Sequence, residues 1–232
     1  MLSESVTYLK DSDDALKTSI IGGLCLLFGF LLIPLFLVWG YVVRVLARTS
    51  RDDDEAPGFE DWGDLTIDGA KAFAILLAYS LVPVAAGAVL FGSVWLATGG
   101  TPGTIGAIGF FLAGMVTLAT FVGAAYVSPA AIANFASERR LGAGFDVDEL
   151  RAVLATGTYA TGWLLAFGIV VVGSFVSGVL NAVPLVGTVL GAIVAFYALV
   201  AAYYVIGHTW GDLHPVSLET SDDGPSSERP AV

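Results

Sequence analysis

Along most of this chain the charged positions are simply missing. Residues 18–43, 72–137 and 152–211 contain no Lys, Arg, Asp or Glu, in runs of 26, 66 and 60 residues. A helix needs about 20 apolar residues to cross a hydrocarbon core about 30 Å thick. Each run therefore holds at least one crossing, and the two longer runs hold at least two. Gly99-Gly100-Thr101-Pro102-Gly103 divides the second run into 72–98 and 104–136, because Gly is permissive and Pro lacks the amide donor. Asn181-Ala182-Val183-Pro184 divides the third into 152–180 and 185–210. Both pairs read as helical hairpins with short, uncharged turns. The pattern predicts an all-α, polytopic transmembrane helical bundle with five to six membrane segments, arranged as three hairpins.

The first run admits two readings. It is either one crossing kinked at Pro34, or a pair of helices over 13–33 and 34–51. Charge asymmetry favours the pair. Arg44, Arg48, Arg51, Lys71, Arg139, Arg140 and Arg151 fall in two segments separated by one hairpin, so they share a side, while the turns at 99–103 and 181–184 carry no basic residue. The positive-inside rule makes the loaded side cytoplasmic. A hairpin in the first run then places all ten basic residues and both termini there.

Between the runs the pattern turns amphipathic. Phe59, Trp62, Leu65 and Phe73 recur on one helical face, with Asp61, Asp64, Asp68 and Lys71 opposite. This spacing predicts a helix lying at the interface that turns into the next crossing. Asp146-Val147-Asp148-Glu149 has the form of a capping box. From Ser217 onward the chain is polar and acidic, which predicts disorder. The expected division is a membrane domain over 1–211 and an acidic cytoplasmic tail over 212–232.

Composition adds a compartment and removes several chemistries. The chain is 56% hydrophobic and 13% charged, with net charge −11. Acidic loops repel nucleic acid and anionic lipid, so neither is an expected partner. An acidic, Lys-poor exterior also suits very salty cytoplasm. Cys25, the single cysteine, excludes an intrachain disulfide and reads as a small apolar residue among leucines. No carboxylate, Lys or Arg lies in the apolar runs and His208 lies near the last helix end, so a proton- or sodium-coupled carrier is disfavoured. His208 and His214 share no helical face and lack a third metal ligand. Asp52-Asp53-Asp54 reads as a solvated charge run, and no nucleophile elbow or phosphate-binding loop is present. No catalytic residue, metal or cofactor is expected.

Packing signals are clearer. Gly187, Gly191 and Ala195 form one small-residue stripe, and Ser174 with Gly178 forms another, as close helix approach in lipid requires.

Several stretches carry a family likeness. They are Pro57-Gly58-Phe59-Glu60-Asp61-Trp62-Gly63-Asp64-Leu65, then Asp68-Gly69-Ala70-Lys71-Ala72, and before them Gly40-Tyr41-Val42-Val43-Arg44-Val45-Leu46. Tyr8 through Lys17, followed by Ile21-Gly22-Gly23, belongs with them. The chain resembles, to about Gly211, an uncharacterised archaeal multi-pass membrane family common in haloarchaea, domain of unknown function 4013. The likeness implies a haloarchaeal plasma membrane and brings no activity.

Two functions follow as expectations. The first is a non-catalytic membrane partner or organiser, working through Phe59, Asp61, Trp62, Asp64 and Leu65 on a membrane-protein partner or a homo-oligomer. The alternative is a small permease or channel for an uncharged or lipophilic solute, with Pro83 and small-residue helices along its path.

Overall fold

The computed structural model describes residues 4, 5, 8, 15–101 and 103–214, and among them every regular element is helical. The acidic tail expected from 217 onward lies outside the described residues. Among the described residues four helices are long and apolar enough to cross a membrane. They are α3 (Trp62–Ala97), α4 (Thr104–Glu138), α6 (Gly157–Leu180) and α7 (Val186–Leu213). They form two hairpins, and their turns fall at the Gly-rich segment and at Asn181–Pro184, where the sequence breaks. Gly99 and Gly100 take φ of 60° and 77° at the first turn, a conformation that glycine reaches without steric cost. A short helix, α5 (Val147–Leu154), links the hairpins.

The first apolar run is not one kinked crossing. It folds into α1 (Ala15–Leu27) and α2 (Ile33–Thr49), joined by the 3-10 turn Gly29–Leu31, with Leu32 at φ 64°. Pro34 occupies the first turn of α2, where its missing amide costs nothing, and so starts a helix instead of bending one. At 13 and 17 residues the pair reaches roughly 20 and 25 Å, shorter than the four long helices. Phe28, Phe30, Leu31, Leu32 and Ile33 are exposed around the turn. A turn built only from apolar side chains suits hydrocarbon. Its amides are closed internally, Leu31 to Phe28 and Leu32 to Gly29, both at 3.0 Å.

A second difference concerns the segment expected to lie flat at the interface. Helix α3 starts at Trp62 and runs unbroken for 36 residues, about 54 Å, well beyond a hydrocarbon core. No residue between 62 and 75 interrupts the helix. The apolar face of its first turns is covered by α2 instead of by the interface: Leu65 and Gly69 are buried.

Helix α2 is the centre of the molecule, packed between α3 and α7. Val38, Tyr41, Val42, Val43, Val45 and Leu46 are almost wholly buried. Glycines set each crossing. A Cβ on Gly69 would collide with the Phe36 carbonyl, and one on Gly40 with the Leu65 carbonyl. On the other side Gly207 meets Thr49, and Gly211 lies against the Ser50 backbone. All four glycines sit toward the end of the bundle that carries the charges. Tyr8, Thr49, Glu138 and Leu213 gather at this charged end, so both described ends of the chain lie there. Toward the hairpin tips most large apolar side chains face outward.

Candidate functional site: the charged end of the bundle

The loops at the charged end are not solvated strings. Side chains from the helices donate to their backbone carbonyls, which would otherwise lose water without a partner. Arg44 Nη1 donates to the Glu60 carbonyl at 2.7 Å and reaches that of Gly58 at 3.5 Å, while Nη2 reaches Asp61 at 3.4 Å. Arg48 Nη1 and the Tyr8 hydroxyl both donate to the Glu55 carbonyl, at 3.1 and 3.3 Å. Burial at this joint pushes the Tyr8 phenol above its ordinary range. Phe59 then stacks on Tyr41, with ring centres 4.7 Å apart. The result is a 50–61 loop folded back onto α2.

The acidic run inside that loop is partly enlisted. Asp54 Oδ1 accepts from the Tyr204 hydroxyl at 3.0 Å and lies 2.9 Å from His208 Nε2. The 139–146 turn is tied in the same manner. Asn134 Nδ2 donates to the Ala143 carbonyl at 2.9 Å, and the Tyr79 hydroxyl to that of Gly144 at 2.9 Å. Asp68 on α3 receives Arg139 at 2.6 Å and Lys71 at 3.5 Å. Asp146 caps α5 by accepting from the Glu149 amide, as the capping pattern anticipated. His214 closes the corner, with Nε2 2.6 Å from Glu149 and Nδ1 2.9 Å from the Trp210 carbonyl.

One joint locks the two long hairpins together. Pro129 lies within α4 and cannot supply the amide that the Ala125 carbonyl would accept. The Trp163 indole of α6 donates to that carbonyl instead, at 2.9 Å. Beside it the Tyr159 hydroxyl donates to the Tyr126 carbonyl at 2.8 Å, and the Tyr126 hydroxyl to that of Leu154 at 3.0 Å. A proline defect in one hairpin is thus filled by the other.

The residues singled out from sequence divide between surface and interior. Asp61, Trp62 and Asp64 are exposed, Trp62 by 50%. Leu65 is buried against Gly40 and Phe59 is half-buried on Tyr41, so these two build the core beneath that surface. Of the small-residue stripes, Gly187 and Gly191 do approach the end of α6, and Ser177 Oγ donates to the Gly191 carbonyl at 2.9 Å. Ser174 and Ala195 line a shared apolar hollow with α2. Gly178 points outward with nothing near it, and the contact on α6 runs through Gly173 and Ser177, one residue over. Spacing alone identifies a stripe but cannot orient it, because neighbouring stripes on such a helix are equally small. Pro83 is buried in α3 and lines an apolar cavity of about 390 Å³ against α4. Among the described residues no group of three or more His, Cys, Asp or Glu is placed to hold a metal.

Sequence reasoning missed the arginines and tyrosines as loop anchors, and it missed the polar cavity of about 450 Å³ that Arg44, Arg48, Arg51 and Arg139 line beside the 50–61 loop. The spacing of Arg44, Arg48 and Arg51 on one helical face was the available signal.

No match was found among curated proteins or solved structures. Residues 24–182, about two-thirds of the chain, match the family described as Protein of unknown function (DUF4013). The match takes in α2 to α6 and the aromatic, acidic segment at 57–65, and leaves out residues 8–23 and all of α7. On that coverage this membrane-embedded helical chain belongs to the DUF4013 family.

Proposed function

We propose that the chain is a non-catalytic membrane organiser that holds a membrane-protein partner at its charged end, and that this end faces the cytoplasm. The observation that carries the reading is the division of labour in the structure. Polar side chains fix the backbone of every loop at one end, and a half-exposed Trp62 stands there between Asp61 and Asp64. Trp is among the residues most enriched in interface hot spots. The membrane part offers apolar surface and small residues, with no carboxylate, Lys or Arg over 72–137 or 152–211. Seven of ten basic residues at the charged end support its cytoplasmic placement. The acidic, Lys-poor exterior supports a haloarchaeal plasma membrane.

The test is extraction of tagged protein at molar salt, with mass spectrometry of what co-purifies. The reading expects a stoichiometric membrane protein that is lost when Trp62→Ala and Asp64→Asn are combined. A second reading, a permease for a lipophilic solute, draws on a predominantly apolar open cavity of about 490 Å³ between α6 and α7. Solute flux in proteoliposomes that survives the same double substitution would favour it instead.

A further inference from the structure

The polar cavity at the charged end has the make-up of an anion site, and we propose that it binds a phosphate group. Arg44, Arg48 and Arg51 line it from α2 and the residues just after it, and Arg139 lines it from the end of α4. Four of the seven arginines in a chain of net charge −11 thus converge on one hollow. Its volume, about 450 Å³, is within the range of small-molecule sites.

Three carboxylates share the lining: Asp53, Glu60 and Asp61. Against four guanidinium groups they leave the lining a net charge of +1, and what matters is how each guanidinium is engaged. The donors of Arg44 go to backbone carbonyls of the loop, so its charge is held in place without a bonded carboxylate. Arg48 stands 3.9 Å from Asp53, at the limit of an ion pair. Arg139 is committed at 2.6 Å, to Asp68 outside the lining. Arg51 is exposed, and its guanidinium makes no hydrogen bond or ion pair among the described residues, its one bond being from the backbone amide to the Arg48 carbonyl at 2.8 Å. Guanidinium groups present paired donors that match phosphate oxygens. Net charge argues against anionic partners only when charge is spread evenly, and here it is not.

Depth admits two sources. Arg44 is the first charge after the apolar run 18–43, so the cavity lies where the hydrocarbon ends. The phosphate of a phospholipid headgroup and a soluble phosphate can both reach it. This proposal is independent of the organiser reading.

The experiment uses the full chain purified in detergent at about 0.15 M salt, where partly exposed charges still act over about 8 Å. Native mass spectrometry measures binding of phosphatidylglycerol and of a diacylglycerol with the same chains. A thermal-shift titration with inorganic phosphate measures the soluble form. Arg51→Gln removes a charge that anchors nothing, and should weaken binding about 3- to 10-fold with an unchanged melting temperature. Asp61→Asn should tighten it by a similar factor. Preference for phosphatidylglycerol with these responses supports a headgroup site. Binding of inorganic phosphate with the same responses, and no lipid preference, supports a soluble ligand. Absence of both, or binding indifferent to both substitutions, overturns the proposal.

Discussion

Glycines show how differently the two ends of this bundle are built. At the charged end, Gly40, Gly69, Gly207 and Gly211 lie where backbones of α2, α3 and α7 meet, and any side chain would strike main chain or a buried threonine. Toward the tips of the hairpins, Gly92 and Gly178 have nothing beside them, and the close contacts of Gly109 with Val94 and of Gly187 with Leu180 stay within one hairpin. Lipid is as apolar as leucine, so hiding apolar area from it yields little; close backbone approach and satisfied hydrogen bonds are what associate helices there. The charged end has both. Within each hairpin the tips are paired, yet the hydrogen bonds and ring contacts between α4 and α6 lie at Ala125, Tyr126, Tyr159 and Trp163. The molecule is a clamp at one end and two separate hairpins at the other.

Substitution tests should reproduce that contrast. The largest effect is expected at Gly69→Val, where the new side chain meets the Phe36 carbonyl. Overpacking of this kind costs about 1–3 kcal/mol when side chains can yield, and more when backbone must move. Folded yield after detergent extraction should collapse. Gly92→Val, with open space around it, should leave yield and melting temperature unchanged, and a matching loss at both sites would erase the distinction between the ends.

Asn134→Leu comes next. It strips the partner from the Ala143 carbonyl at a site where Asn134 is 2% exposed. An orphaned buried acceptor costs about 1–3 kcal/mol, so denaturant unfolding in micelles should shift accordingly.

The proline joint gives a sharper, smaller effect. Trp163→Phe should cost about 1–2 kcal/mol in the natural background, because the Ala125 carbonyl loses its donor. In a Pro129→Ala background residue 129 can donate to that carbonyl itself, and the same substitution should cost less. A double-mutant cycle by thermal unfolding reads the difference. Equal costs in both backgrounds would mean that the indole acts only by packing.

Tyr41→Phe should be the mildest. Its hydroxyl is buried without a partner among the described residues, while its ring does the packing against Phe59 and Phe196. Removing the oxygen should leave the melting temperature unchanged or raise it slightly.

The same contrast explains what could be read from the chain. Hairpin turns were legible because Gly99, Gly100 and Pro184 act locally on the backbone, and Asp146 announced its own cap. The double-helix form of the first run was legible through the one-sided distribution of arginines. Three things were not. Helix α3 runs through the interface because Leu65 and Gly69 find α2 as a neighbour, a tertiary fact that an amphipathic pattern cannot contain. The contact stripe on α6 falls at Gly173 and Ser177 because α7 approaches from that side, and Gly178 looks equally suitable in sequence. Finally, Arg44 and Arg139 are 95 positions apart, and only the folded loops bring them to one cavity. Summing charges over the chain hid that cluster.

The clamp itself is best tested by double electron–electron resonance on spin-labelled pairs in lipid nanodiscs, in a Cys25→Ala background. One pair, at exposed positions Asp64 and Asp148, spans the charged end; the other, at Ile105 and Leu185, spans the hairpin tips. The account predicts a narrow distance distribution for the first pair and a broad one for the second. Equally narrow distributions, or a broad one at the charged end, would contradict it.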